Sequence, residues 1–233
     1  IRDVFSRTRA ARTRGFDARQ FSFNTDPGRC GECGGRGSVT VEMQFLADLV
    51  LSCPECEGRR FGAETLRVKY RGKSVADVLA MSVSEAVEFF ENFPRVVSLL
   101  KTLVDVGLDY MVLGQPTATL SGGEAQRLKL SSFLAEEGKA GRTLFICDEP
   151  TKAPHLQDVH VLIEVLDVLV QRGHSVLVVE HPTAFISHAA HVIDLGPQGG
   201  DGGGRVIVQG TVMDVAGCEQ SHAGVELKKH LEL

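Results

Sequence analysis

Short, continuously apolar runs alternate with stretches of helical period through the second half of the chain. Residues 143–147 and 175–179 are apolar runs of strand length, whereas residues 159–171 carry apolar side chains at the helical spacing. Strands that alternate with helices in this way predict an α/β fold with a mostly parallel sheet. Residues 192–195 predict a third short strand, and residues 206–208 a strand that pairs back on it.

Shorter signals mark the remaining parts of this pattern. The Gly-rich segment 199–204 lacks the spacing of a dinucleotide-binding loop, so we interpret it as a turn, and two short helices follow. Upstream, Ser82 and Glu85 have the spacing of a capping box and predict a helix over residues 83–92. Pro94 suits the first turn of a second helix that stops near Gly107. Between residues 74 and 107 we see structural helices and no chemistry.

The first part of the chain is basic, although the protein as a whole is acidic. Its 233 residues carry a net charge of −5, while residues 1–36 hold eight arginines and four acids. Arginines interspersed with phenylalanines suit a nucleic-acid backbone and its bases. For Phe21 and Phe23 we favour the alternative, a short strand over residues 21–23 that packs inward.

Four of the six cysteines form two C-x-x-C pairs, Cys30 with Cys33 and Cys53 with Cys56. In a chain with no secretion-signal pattern this spacing favours a metal over disulfides, and four thiolates suit a closed tetrahedral Zn²⁺ site of structural character. Residues 38–52 between the pairs predict a β-hairpin. Cys147 and Cys218 stand alone and are interpreted as inert.

A complete phosphate-binding P-loop is absent from the printed sequence. Gly72-Lys73-Ser74 resembles the end of such a loop, but the pattern needs glycine at position 67, which is arginine. No other G-x4-G-K-[ST] occurs in the chain. Arg59 and Arg60 belong to a further basic cluster just before this stretch.

A glycine pair opens the longest predicted helix, over residues 124–137. Ser121 is a preferred N-cap, and Gly122 and Gly123 allow a close backbone approach. The free N–H groups of the first turn can hold an anion such as phosphate. Downstream, one apolar run ends in Asp148 and Glu149 and another in Glu180 and His181. Two acids at the end of a buried strand, as Asp148 and Glu149 are predicted to be, suit Mg²⁺ binding and activation of a water molecule.

The string LSGGEAQRLKL at residues 120–130 resembles the signature motif of ABC-type ATPases. The signature, the strand ending in Asp-Glu and the strand ending in Glu-His occur in that family's order. The whole chain resembles the C-terminal portion of the UvrA family, which are DNA-damage-recognition ATPases of bacterial nucleotide excision repair. Besides the four-cysteine hairpin, the strings that carry this resemblance are VGLDYMVLGQPTATLSGGEAQRLKL, RFGAETLRVKYRGK, VIDLGPQGGDGGG and the SHAGVELKK ending.

The resemblance implies roles for individual residues. The cysteines would hold a structural zinc in a module that engages DNA, and Arg12, Arg14, Arg59 and Arg60 would lie near DNA. Nucleotide would be contacted by Ser121, Gly122, Gly123, Glu124 and, through Mg²⁺, Asp148. Glu149 would be the catalytic carboxylate and His181 the residue that senses the γ-phosphate.

The resemblance also implies an organisation. We expect segments 1–73 (Arg-rich segment and zinc module), 74–137 (helical signature subdomain) and 138–233 (part of the ATPase core). The P-loop would precede Ile1, so we expect a longer parent protein, and we expect this chain alone neither to bind ATP tightly nor to hydrolyse it. Residues 152–154 depart from the family's Thr-Gly-Leu, which puts communication between ATP sites in question.

We expect the parent to be a cytoplasmic homodimer that binds damaged duplex DNA, works with a UvrB-like helicase subunit and needs no membrane. Four alternatives stay open. They are an ABC transporter ATPase, a zinc chaperone domain, a nucleotide-independent zinc DNA-binding module, and a diverged UvrA paralogue of the drug-resistance type.

Overall fold

The computed structural model describes residues 1–43, 48–135, 141–151, 156–196 and 203–232. The chain divides into two compact units. The first comprises Ile1–Val104 and Asp109–Pro116, and the second comprises Asp105–Leu108 and Thr117–Leu233. The division into segments 1–73, 74–137 and 138–233 stays a prediction.

The first unit is built from short helices and two small antiparallel hairpins. In chain order its elements are α1 (Arg2–Ser6), α2 (Arg9–Thr13), a 3₁₀ helix (Ala18–Phe21), β1 (Ser38–Val41), β2 (Leu49–Ser52), α3 (Ala63–Leu66), β3 (Lys69–Tyr70), β4 (Lys73–Ser74), α4 (Val75–Leu79), α5 (Val83–Phe89) and α6 (Pro94–Asp105). Part of its core is aromatic, since the rings of Phe5 and Phe21 lie 5.4 Å apart and Tyr70 stacks on Phe90.

Local signals predicted several of these elements. The hairpin is confirmed, with Val39 opposite Leu51 in the β1–β2 register. The capping box of α5 is also confirmed, because the Ser82 amide donates to Glu85 Oε2 at 2.8 Å and the Glu85 amide donates to Ser82 Oγ at 3.2 Å. Helix α6 begins at Pro94, as predicted.

The strand predicted over residues 21–23 is wrong. Phe21 instead ends the 3₁₀ helix, because the Asp17 carboxylate accepts hydrogen bonds from the first amides of that turn. Phe21 nevertheless packs inward with 2% of its surface exposed, whereas Phe23 is half-buried. The inward packing of Phe21 was therefore correct although the secondary structure was not.

The second unit alternates strands and helices. Its elements are a 3₁₀ turn (Thr117–Thr119), α7 (Gly122–Ala135), β5 (Leu144–Asp148), α8 (Leu156–Gln171), β6 (Ser175–Val179), α9 (Thr183–Ile186), β7 (Val192–Gly196), β8 (Arg205–Gly210), α10 (Val212–Ala216) and α11 (His222–His230). Strands β5 and β6 are parallel, with Ile146 opposite Leu177. Strands β7 and β8 are antiparallel, as predicted.

The α/β class is thus confirmed, and the described residues of this unit form one parallel and one antiparallel pair of strands. Two predicted features lie wholly or partly outside the described residues: the altered loop at 152–154 and the Gly-rich turn at 199–204. Residues 136–137, predicted to end the signature helix, also lie outside them. Within the described part of the chain, none of the helices has the length and apolar character that a membrane span requires.

Candidate metal centre and nucleotide-site elements

The two cysteine pairs meet in the first unit. The Sγ atoms of Cys30, Cys33, Cys53 and Cys56 all lie within 4.8 Å of one another. The closest contacts cross between the pairs, with Cys30 Sγ 3.9 Å from Cys53 Sγ and Cys33 Sγ 3.7 Å from Cys56 Sγ. All four side chains are buried, and Val39 of the hairpin packs against them. They are free thiols, not disulfides.

Reciprocal backbone hydrogen bonds bring the pairs together. The Cys30 amide donates to the Arg60 carbonyl at 2.8 Å, just after the second pair. The Cys53 amide donates to the Gly37 carbonyl at 3.0 Å, just after the first pair. The first cysteine of each pair therefore donates a hydrogen bond to a carbonyl that follows the other pair. The β1–β2 hairpin between the pairs brings the chain back to the position that these two hydrogen bonds require.

Glycines make the tight return after the first pair possible, and the sequence reasoning missed their importance. Gly35 has a φ of +84°, and a Cβ atom placed there would lie 1.9 Å from the Phe23 carbonyl oxygen. Gly37 has a φ of +80°, and its Cβ would lie 2.8 Å from the Gly58 carbonyl oxygen. Only glycine fits both the left-handed backbone and the close approach.

The cluster is electrostatically uneven. Burial raises the pKa of the Cys30 thiol, and it raises the pKa of Cys56 to about 12. Burial acts in the same direction on Cys33, but the Gly37 amide, which donates to its Sγ at 3.2 Å, and the Cys56 thiol outweigh it and lower the pKa of Cys33 to about 7.

This donor set fits a divalent metal. Four convergent, buried sulfur atoms supply soft ligands in a number that suits a closed tetrahedral site. Several buried thiolates repel one another, so a cation is what allows all of them to ionise together. The four residues could therefore hold a metal ion with no position left open for substrate.

In the second unit, Ser121 caps the signature helix as the sequence predicts. The Glu124 amide donates to Ser121 Oγ at 3.2 Å, and the Ser121 amide donates to Glu124 Oε2 at 2.8 Å, which completes a capping box. Ser121 and Gly122 are exposed, whereas Gly123 is buried. The exposed start of α7 presents backbone N–H groups and the positive end of a helix dipole.

The carboxyl ends of β5 and β6 bring two predicted residues together. Asp148 ends β5 opposite Val179, and the Glu149 amide donates to the Val179 carbonyl at 2.9 Å. Glu149 Oε1 then lies 3.1 Å from His181 Nε2. Adjacent parallel strands place their following loops side by side, which explains why residues distant in sequence meet here.

The structure adds Glu180 to this group, which the sequence reasoning left without a role. Its carboxylate accepts hydrogen bonds from the Thr151 amide at 2.6 Å and from the His181 amide at 3.1 Å. The Thr151 contact spans two loops, so no local sequence signal could have revealed it.

The predicted DNA-contacting arginines all lie in the first unit. Arg12 on α2 and Arg14 just after it are exposed, and Arg14 donates to the Ala10 carbonyl at 3.1 Å. Arg59 is paired with Glu57 at 3.1 Å. The Arg60 guanidinium lies over the Phe23 ring, 5.0 Å from its centroid.

An α/β unit with a glycine-led helix start and adjoining strand ends, together with a four-cysteine module, is the arrangement that the resemblance to ABC-type ATPases predicts. Comparison with known proteins is more specific. UvrABC system protein A of Clostridium perfringens is 50% identical over 231 residues, which cover 99% of this chain. The protein of the same name from Lactiplantibacillus plantarum is 50% identical over 232 residues, covering 100% of the chain. No protein-family model matches.

The fold agrees with this similarity. The crystal structure of UvrA2 from Deinococcus radiodurans superposes with a TM-score of 0.85 at 44% identity, covering 98% of this chain and 28% of that one. The chain is thus a UvrA-like segment, the C-terminal portion of a protein of that kind. It spans 24% of the length of the two curated relatives.

Proposed function

We propose that the chain is the C-terminal segment of an ATP-dependent DNA-damage recognition subunit of nucleotide excision repair. The observation that carries this proposal is the joint occurrence of a four-cysteine cluster and ABC-type site elements in a chain that is 50% identical to UvrABC system protein A over 99% of its residues. A transporter subunit or a chaperone-type zinc domain leaves one of these two features unexplained.

The nucleotide-site residues would act in distinct ways. ATP and Mg²⁺ would supply the phosphoryl group and its charge neutralisation when bound. Asp148, at the exposed end of β5, suits a Mg²⁺-side acid. The Glu149 carboxylate would accept a proton from water, and His181, 3.1 Å from it, would orient that carboxylate. Gly122 and Gly123, whose N–H groups take no part in the capping box, would offer them to a phosphate bound chiefly by another nucleotide-binding domain.

We expect the printed chain by itself to show neither tight ATP binding nor turnover. The phosphate cradle and lysine of a P-loop are missing from its sequence, so the residues above lack the groups that bind most of the triphosphate. Isothermal calorimetry with ATP and Mg²⁺ and a phosphate-release assay measure both properties. Turnover at the roughly 1 s⁻¹ or more of an ordinary enzyme would contradict this prediction.

The metal we propose is Zn²⁺ in a structural role. Four sulfur ligands satisfy its preferred coordination and leave no site for a reacting water. By holding both cysteine turns, the ion would fix the base of the β1–β2 hairpin and the arginines that follow it.

For the DNA contact, we divide the arginines of the first unit into those that form an ion pair with a carboxylate and those that do not. Exposed arginines beside a carboxylate, such as Arg19 with Asp17 at 2.9 Å and Arg67 with Glu64, are locally neutralised. Arg59 falls in the same group because of Glu57. The exposed arginines on and beside α1 and α2 have no ion pair among the described residues; they are Arg2, Arg7, Arg9, Arg12 and Arg14. We propose this α1–α2 patch as the main phosphate-binding surface.

The double substitution R12A/R14A tests this surface. We expect weaker binding of the zinc-loaded chain to a labelled duplex and a salt slope, log K against log salt, that is smaller by about 2, because each phosphate contact contributes about 0.9. Fluorescence anisotropy over a salt titration, on duplexes with and without a bulky lesion, measures both quantities.

The matched control is R19A/R67A, which changes the net charge equally but removes paired arginines. An equal loss in both variants would show that net charge, not the α1–α2 patch, governs binding. No binding of the unsubstituted chain even at low salt would overturn a DNA contact by these elements alone. The UvrB-like partner, the homodimeric parent and the cytoplasmic location belong to the same proposal and derive from the UvrA similarity.

A further inference from the structure

Glu149 has an unusual backbone conformation that something must hold in place. Its φ is +44°, in the left-handed region that side chains with a Cβ atom disfavour. Pro150 follows it, and the residue before a proline normally avoids helical conformations. The left-handed φ and the following proline therefore both disfavour the conformation that directs the Glu149 carboxylate to His181.

The half-buried Glu180 carboxylate bridges the loops that carry both residues. One oxygen accepts from the Thr151 amide at 2.6 Å, two residues after Glu149, and the other accepts from the His181 amide at 3.1 Å. A second link, from the Glu149 amide to the Val179 carbonyl at 2.9 Å, closes a ring of hydrogen bonds across the strand ends. The 3.1 Å contact between the Glu149 and His181 side chains joins the same two loops as these hydrogen bonds.

We propose that Glu180 is a positioning residue that sets the Glu149–His181 contact through these two amides. This role rests on the proposed nucleotide site, because there the two side chains face the reacting groups. A carboxylate is required because two oxygen acceptors must serve two N–H donors at once. Glutamine offers one acceptor, aspartate is one methylene shorter, and alanine offers none.

The imidazole Nε2 resonance of His181 reports the contact directly, without nucleotide or DNA. We would record nitrogen-15 spectra of the zinc-loaded chain at about pH 8, where a free imidazole is neutral. Glu149→Ala should displace this resonance by removing its partner. Glu180→Ala should displace it in the same direction, and E149A/E180A should displace it no further than E149A alone. Glu180→Gln should give a smaller displacement.

His188 supplies the internal control, since its Nδ1 lies 2.9 Å from the Ala184 carbonyl oxygen of the same unit. A purely structural loss would move the His188 resonance together with that of His181. If Glu180→Ala moves both, the milder Glu180→Gln replaces it, and E149A/E180Q should then displace the His181 resonance no further than E149A alone. An unmoved His181 resonance in the Glu180 variants, or displacements that add in the double variant, would overturn the proposal. Failure of DNA binding in the anisotropy experiment would leave this result unaffected, so the two proposals fail separately.

Discussion

Replacing Cys53 with serine should abolish stable metal binding and unfold the cysteine module. Cys53 is fully buried, and its amide also closes the hydrogen bond to Gly37 that joins the two turns. Structural zinc sites contribute roughly 10–16 kcal/mol of apparent binding free energy in small domains. This is as large as the whole margin of about 5–15 kcal/mol by which proteins are folded, so losing one of four ligands should unfold the module.

Zinc content by mass spectrometry after dialysis, and amide proton spectra of the first unit, measure the two effects. We expect about one zinc per chain in the unsubstituted protein, as one closed four-sulfur site requires, and much less in the variant. Cys218→Ser is the matched control, because Cys218 lies outside the cluster and is only half-buried. If Cys53→Ser kept its zinc and its spectrum, the cluster would not be the metal site.

Sequence prediction succeeded where the determining interaction is local. The capping box of Ser82 and Glu85 and the N-cap at Ser121 each lie within one helical turn, so the local sequence alone specifies them. The C-x-x-C spacing likewise predicted four converging thiols, which the structure brings within 4.8 Å of one another.

Elements stabilised by distant partners escaped prediction. Helix α1 is only five residues long and is held by packing, for example of Phe5 on Phe21 and Tyr70, rather than by its own propensity. The same holds for Glu180, whose partner Thr151 is 29 residues away. The capping box of α4 was a local signal that went unused: Ser74 and Asp77 have the right spacing, and the Ser74 amide donates to the Asp77 carboxylate at 2.7 Å.

The last prediction concerns Gly35, which lies outside the C-x-x-C motifs but has no room for a Cβ atom. Gly35→Ala should lower the free energy of unfolding of the first unit by about 2–5 kcal/mol, combining overpacking of about 1–3 kcal/mol with about 1–2 kcal/mol for alanine in the left-handed region. The new Cβ would lie 1.9 Å from the Phe23 carbonyl oxygen, so the turn after Cys33 has to move. Urea denaturation of the zinc-loaded chain measures the change.

Gly34→Ala is the matched control, because Gly34 is the neighbouring residue and also has a left-handed φ, of +57°, but a Cβ atom there would meet no atom within 4 Å. We expect it to cost only about 1–2 kcal/mol, the penalty for alanine in the left-handed region. Equal destabilisation by both variants would mean that the turn requires glycine for its left-handed backbone rather than for the approach to Phe23. A clearly larger effect at Gly35 would instead show that the segment before the cysteines packs directly against the metal module. The proposed metal centre would then depend on residues that no cysteine motif contains.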